Sequence, residues 1–375
     1  MNLLIESLNR GMLLIMVMAL VTLPMACKKN VSGRTRFTMT ARQAQELETQ
    51  LRNDPEDVTA RQKLLTYYSL EQYKSSVARK ARQGHVLWLI EHRPDTLIKP
   101  PFLTLNPHLD GAVYDQGKAL WLKQVQDNPQ NLAILENAAD YLLLFDRATA
   151  QDLLKKAQTI EPNNSHWSEK LAHLHALDAN SGDTNSAVMA LAELEKGQDN
   201  TAETNFGNLG QMAKMALAAG EMEKAKNYAA DLLRQAPEHQ HAWNYGNAIH
   251  EGNLILGRVA LREGRIAEAK NHLLEAGKTP GSPQLNSFGP NMSLAKDLLA
   301  KGEKDTVVAY FKLCGAFWKM GAGKLESWIK AAKDGRVPDF GANLVYQEFL
   351  CLTFRLASPS FTQFGELSGR GSGEG

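Results

Sequence analysis

The chain has 375 residues, 43% of them hydrophobic and 22% charged, which is enough apolar material for a substantial core beside an ordinary polar surface. Lys and Arg number 42 against 41 Asp and Glu, a net charge of +1, so the basic field that nucleic-acid binding rests on is missing. Three scattered cysteines, Cys27, Cys314 and Cys351, exclude a disulfide framework and a cysteine zinc site. Strand signals are sparse, while Ala, Leu, Glu, Lys and Gln recur at helical spacing, so the fold class expected is all-α.

Residues 1–27 read as an export signal. Arg10 precedes an apolar run over residues 12–26, interrupted only by Thr22 and Pro24. The run is shorter than the roughly 20 residues that a spanning helix needs and suits a secretory signal core. Ala26 followed by Cys27 resembles a bacterial lipoprotein cleavage site, which implies lipidation of Cys27. Pro24 stands where such sites usually carry Leu, and Lys28 and Lys29 come directly after. Lipidation, cleavage to a soluble exported protein, and retention as an uncleaved anchor all remain open. Each places the chain in the cell envelope, periplasmic or held to a membrane surface. Residues 28–40 are polar and basic, a tether.

Helical spacing begins near Ala41, with Leu47, Leu51 and Val58 among charged residues. Residues 56–94 suggest a helix pair from Leu64, Leu65, Tyr67 and Tyr68, then Val86, Leu87 and Leu89. Residues 131–162 form another, with Ala138, Tyr141, Ala150 and Ala157, and with Phe145 where a turn glycine would be expected. A looser pair spans residues 166–197, with Trp167, Leu171, Ala172 and Leu174 before a polar turn and Ala187, Leu191 and Leu194 after it. Residues 207–237 carry Met212, Ala213 and Ala216, then Gly220, then Ala225 and Leu232. Residues 254–280 are the clearest unit. Gly257, Ala260 and Ala269 let two antiparallel helices approach closely, and Gly264 supplies the left-handed turn between them. Residues 290–318 repeat the register with Leu294, Ala295, Leu298, Gly302, Val307, Phe311 and Cys314.

Prolines close many of these units, at Pro55, Pro94, Pro129, Pro162, Pro237 and Pro280, where a residue without an N–H stops a helix. Their spacings are 39, 35, 33, 75 and 43 residues. Small residues, a turn glycine and a closing proline at this period resemble the tetratricopeptide repeat, a helix–turn–helix unit of about 34 residues. The resemblance implies an α-solenoid of six or seven antiparallel pairs over residues 41–320. Neighbouring pairs would bury one another's apolar surfaces, with the first helix of each pair on a concave face. Two stretches depart from the pattern and are expected as inserted loops: residues 99–110, with three prolines, and residues 281–292 around Phe288. Residues 321–346 read as a cap with one short helix. The tail over 347–375 combines a β-prone run at 349–354 with a glycine-rich end.

No phosphate-binding glycine loop, HExxH pair or nucleophile elbow is present. His239 and His241, like His173 and His175, are two residues apart and would not share a helix face. Cys314 sits at a small packing position, the place of an inert thiol. The expected function is therefore binding rather than catalysis, with no cofactor. A protein or peptide partner would lie in the concave groove, and the chain would serve as a scaffold or adaptor of the envelope. Candidate groove residues, expected on first helices, are Asn137, Tyr141, Trp167, His241, Trp243, Asn244, Tyr245, Asn247 and Arg258, with Phe288 from the second inserted loop. Asn can clamp a peptide backbone, and aromatic rings supply contact area, although the same rings serve equally as core. The alternative is a small-molecule or metal site near His241, His250 and residues 281–292. A third reading is a structural module that self-associates end to end.

Overall fold

The computed structural model describes residues 39–96, 104–197 and 202–344, with backbone alone for 202–205. Cys27, most of the 28–40 tether, the first part of the 99–110 stretch and the tail from 345 fall outside the described residues. Among the described residues every regular element is helical, with seventeen α-helices and three short 3-10 turns. The chain divides between Tyr141 and Leu142 into two compact units.

Unit 1 holds α1 (Ala41–Asn53), α2 (Val58–Glu71), α3 (Ser76–His92), a single turn α4 (Pro107–Asp110), α5 (Ala112–Asp127) and α6 (Leu132–Leu142), which ends at the division. The first three start on side-chain caps. Thr40 accepts from the Gln43 backbone N–H while Gln43 Oε1 accepts from Thr40 N–H, a reciprocal capping box. Asp57 and Ser75 cap α2 and α3 by accepting from Ala60 and Ala78 N–H. Adjacent helices then pack in pairs, α1 on α2 and α2 on α3, burying Leu51, Leu64, Leu65, Val86 and Leu89. The α2–α3 pair occupies the stretch expected to hold one, residues 56–94. Of the 99–110 stretch, the described part ends in the α4 turn, capped by Asn106.

One polar knot lies inside unit 1. Arg61 Nη1 donates to His85 Nδ1 at 3.2 Å, so the ring proton sits on Nε2, which donates to Glu48 Oε1 at 3.0 Å. Tyr68 donates to the same carboxylate oxygen at 2.8 Å. The Arg61 guanidinium also lies over the Trp88 ring, 3.6 Å from its centre.

Unit 2 holds α7 (Arg147–Ile160), α8 (Ser165–Ala179), α9 (Thr184–Lys196), α10 (Ala202–Ala219), α11 (Met222–Gln235), α12 (Tyr245–Arg262), α13 (Ile266–Gly277), α14 (Pro283–Phe288), α15 (Ser293–Ala300), α16 (Lys304–Cys314) and α17 (Ala322–Lys333). The helix pairs α8–α9, α10–α11, α12–α13 and α15–α16 turn in the same way. After α10, Gly220 N–H donates to Leu217 O and Glu221 N–H to Ala216 O, the two bonds that satisfy a helix's last carbonyls around a left-handed glycine. The same bonds recur around Gly182, Gly264 and Gly302. Second helices also pack on the following first helix, α9 on α10 and α11 on α12, and α10 touches both α8 and α12.

Helix α12 is held closely on two sides by its glycines, Gly246 and Gly257 on one face and Gly252 on another. A methyl group at Gly257 would overlap Leu294 and stand 3.2 Å from His272 Cβ; one at Gly252 would stand 2.7 Å from Leu233 Cγ; one at Gly246 would overlap the Gly281 carbonyl. The close approach expected at Gly257 and Ala269 is present, because the Gly257 position also lies 3.4 Å from Ala269 O.

Residues 281–292 do not form an irregular loop throughout. Ser282 caps the short helix α14 by accepting from Leu285 N–H at 3.0 Å, with Pro283 at the first helical position, where its missing N–H costs nothing. The segment after α14 is tied down from several sides. Asn343 Nδ2 donates to Phe288 O (3.2 Å) and Pro290 O (3.0 Å), and its own carbonyl accepts from Met292 N–H at 2.9 Å. The short helix expected within residues 321–346 is α17, packed on α16 through Trp328 and Phe311. Asn343→Ala is expected to destabilise unit 2 by about 1–3 kcal/mol, because two buried carbonyls lose their donor. Urea unfolding checks this, and an unchanged midpoint would contradict it.

Candidate functional site

Two indentations lie in series on one side of unit 2. Both are walled by α10 and α12, with α8 or its C-terminal turn beyond. The first, about 90 Å3, is lined by the apolar Ala172, Leu194, Phe206, Leu232 and Ala248 together with Glu169, His173, Gln211, Trp243, Asn244 and Asn247. The second, about 190 Å3, is lined by Asn180, Leu217, Ile255, Arg258, Arg262 and Asn291 among others. Lys214 and Glu251 wall both. Lys214 on α10 donates to Glu251 Oε1 on α12 at 2.7 Å, and the two side chains are 14% and 12% exposed. A partly dry ion pair thus stands as a sill between an apolar notch and a polar one.

The helices that carry these residues present them by period. On α12, Asn247, Glu251, Arg258 and Arg262 succeed one another at steps of four or seven, so they share a stripe. On α10, Gly207, Gln211, Lys214 and Ala218 do so at steps of three or four. The core stripe of α10, Met212, Ala213 and Ala216, is interleaved with it and buried.

The expected groove residues separate by where the structure places them. Trp243, Asn244, Asn247 and Arg258 do line the pockets, and Trp243 is 49% exposed at the rim. Tyr245 is half-buried and packs on the small cluster of Phe206, Leu209, Leu232 and Ala248. His241 is exposed and lines neither pocket. The expectation that His241, Trp243 and Asn244 ride on a first helix is corrected: residues 236–239 make a 3-10 turn, and α12 begins only at Tyr245. Phe288 closes α14 and lines neither pocket.

Asn137, Tyr141 and Trp167 are buried and fully engaged within their own units. Asn137 Nδ2 donates to Pro94 O (2.9 Å) and Thr96 O (3.0 Å), clasping the chain after α3. The Tyr141 hydroxyl donates to Tyr114 O at 2.8 Å. A methyl group at Gly117 would overlap that hydroxyl, so α5 needs glycine there. Trp167 Nε1 donates to Glu161 Oε2 at 3.2 Å. Asn247, though in the first pocket, also holds α14: it accepts from Ser282 Oγ at 2.6 Å and donates to Gln284 Oε1.

His250 does meet the 281–292 segment, as a structural tie. It is fully buried, with Nδ1–H donating to Ala276 O at 3.0 Å and Nε2 accepting from Asn291 N–H at 3.3 Å. Both ring nitrogens are thereby used, which leaves none for a metal. Burial pushes its pKa down to about 4, against smaller opposing effects of the Ala276 hydrogen bond and Glu251. His173 is likewise pushed down to about 4 by burial, then by Lys170. Its Nδ1 finds no hydrogen-bond partner among the described residues. Burial raises the Cys314 thiol well above its ordinary range, the state of an inert packing residue. No group of three or more His, Cys, Asp or Glu among the described residues could hold a metal ion.

Sequence reasoning passed over Lys214, Glu251 and Arg262 as groove residues, and weighed His173 only by its spacing from His175. The signal was available once α10 and α12 were in register, as the polar stripe left after the core positions are removed. No protein-family model matches the chain, and no curated protein matches it either.

Proposed function

We propose that unit 2 is a tetratricopeptide-like stack whose first helices, α8, α10 and α12, form a concave face that holds an extended segment of a protein partner. The observation that carries this reading is the pair of small pockets in series along those helices. Each is below about 300 Å3, the lower end of pockets that enclose small molecules. Notches of that size suit successive side chains of a peptide laid across the helices. Trp243, half-exposed at the rim, supplies the anchor that such interfaces concentrate their energy on. The chain would then act by binding, as an adaptor or scaffold of the cell envelope. It would be carried there by residues 1–27 and held to a membrane surface through a lipid on Cys27. No helix among the described residues is long and apolar enough to cross a membrane.

The test is capture of partners from the membrane fraction of the source cell with the full chain, comparing wild type with Trp243→Ala. The partner recovered by the wild type is expected to be lost by roughly tenfold or more in the variant, with the melting temperature within about 2 °C, as for an exposed site. Equal capture by both would remove the groove from the account. Cys27→Ser is expected to release the protein from the membrane fraction without altering capture.

A further inference from the structure

We infer that the second pocket takes a carboxylate side chain of the bound segment, received by Arg258 and Arg262. This deepens the peptide-groove reading and rests on it. Arg258 and Arg262 are four residues apart on α12 and line the same pocket. Like charges at that spacing repel one another. Neither forms an ion pair among the described residues. The nearest carboxylate influence on Arg262 is Asp297 on α15, which acts through space. Lys214, the third cation of the pocket, is already neutralised by Glu251. The second pocket therefore keeps two guanidinium groups with no carboxylate paired to them at contact distance, Asp297 acting on Arg262 only from farther off.

Its donors are also partly oriented. Arg262 Nη1 donates to Leu217 O at 3.1 Å, which fixes the guanidinium at the rim. A carboxylate supplies the missing charge and accepts from several donors at once, with the forked geometry that guanidinium groups favour. The adjoining first pocket has a mostly apolar lining, so the preferred segment carries an apolar residue and, a few positions away, Glu or Asp.

The experiment uses the purified full chain and an array of octapeptides. Each peptide contains one leucine and one glutamate, one to four positions apart, and stands beside its counterpart with glutamine in place of glutamate. The glutamate members are expected to bind about tenfold or more tightly, and to lose that margin as salt rises. Arg258→Gln is expected to abolish the margin. Arg258 makes no hydrogen bond or ion pair within the described residues, so the variant's melting curve should match the wild type. If glutamate and glutamine peptides bind equally, or if the margin survives Arg258→Gln, the carboxylate inference falls while the groove reading stands. If no peptide binds but inorganic phosphate or phosphatidylglycerol vesicles do, both readings fall and the arginines serve another anion.

Discussion

A Gly246→Ala variant is expected to lose about 3 kcal/mol of stability or more, at the upper end for overpacked sites. For a unit of this size, that lowers the melting temperature by roughly 6–12 °C. The added methyl would overlap the Gly281 carbonyl oxygen, lie 2.5 Å from its carbon and stand 3.1 Å from Thr279 Oγ1. The clash is with backbone, so no rotamer change relieves it. The backbone cannot retreat easily, because Thr279 Oγ1 donates to Gly246 O at 2.6 Å and Gly281 holds a positive φ of 85° beside Phe317. Gly84→Ala is the matched contrast. Gly84 lies inside α3 with nothing within 4 Å of the position its Cβ would take. Alanine there is expected to stabilise by about 0.5–1 kcal/mol, since glycine in a helix interior carries an entropic penalty. Thermal melts of the two variants should shift in opposite directions, and a shift of the same sign in both would contradict the packing described at α12.

The second large effect is acid sensitivity. His250 and His173 hold pKa values of about 4 in the folded protein, against an ordinary 6.5 in the unfolded chain. Between those values the unfolded state binds more protons, so stability rises with pH across the window. The contribution of each ring is therefore fully present above about pH 6.5 and is lost as pH falls toward 4. Each pKa unit corresponds to about 1.4 kcal/mol, which makes the loss about 3 kcal/mol per ring. His85 in unit 1, lowered chiefly by burial, acts in the same direction. Melting temperatures at pH 7, 6, 5 and 4.5 check this. A steep fall is expected, and His250→Gln should flatten it even though that variant is itself less stable. A melting temperature independent of pH over that range would contradict buried neutral rings.

The helical class and the pairing of helices were legible because they rest on local rules. Gly220, Gly264 and Gly302 reveal turns through their freedom at positive φ, and Ala269 and Gly257 reveal close contact through their size. The Phe145 turn lacks a glycine and closes instead with Phe145 and Asp146 N–H both donating to Leu142 O. Long-range polar ties were not legible. Asn137 clasps carbonyls 43 and 41 residues away, and Asn343 clasps carbonyls 55 and 53 residues away. An asparagine reads the same in sequence whether it holds the fold or faces a groove. Tyr141 and Trp167 fell to the same ambiguity, because an aromatic ring with one polar atom serves a core as well as an interface. The 236–244 segment misled through its length: a 3-10 turn over residues 236–239, which contains Pro237, delays α12, so His241 and Trp243 leave the helical register. Lys214 and Glu251 were hidden by distance, since their pairing joins two helices across 37 residues of chain.

The peptide-groove reading is tested most directly by placing a photo-crosslinking residue at Gln211, on the groove stripe of α10, and at Lys226, exposed on α11. Irradiation of the full chain in its own membrane fraction should join a protein partner to the Gln211 variant and leave the Lys226 variant uncoupled. Coupling at Lys226 with none at Gln211 would place the interaction on the second helices and contradict the groove.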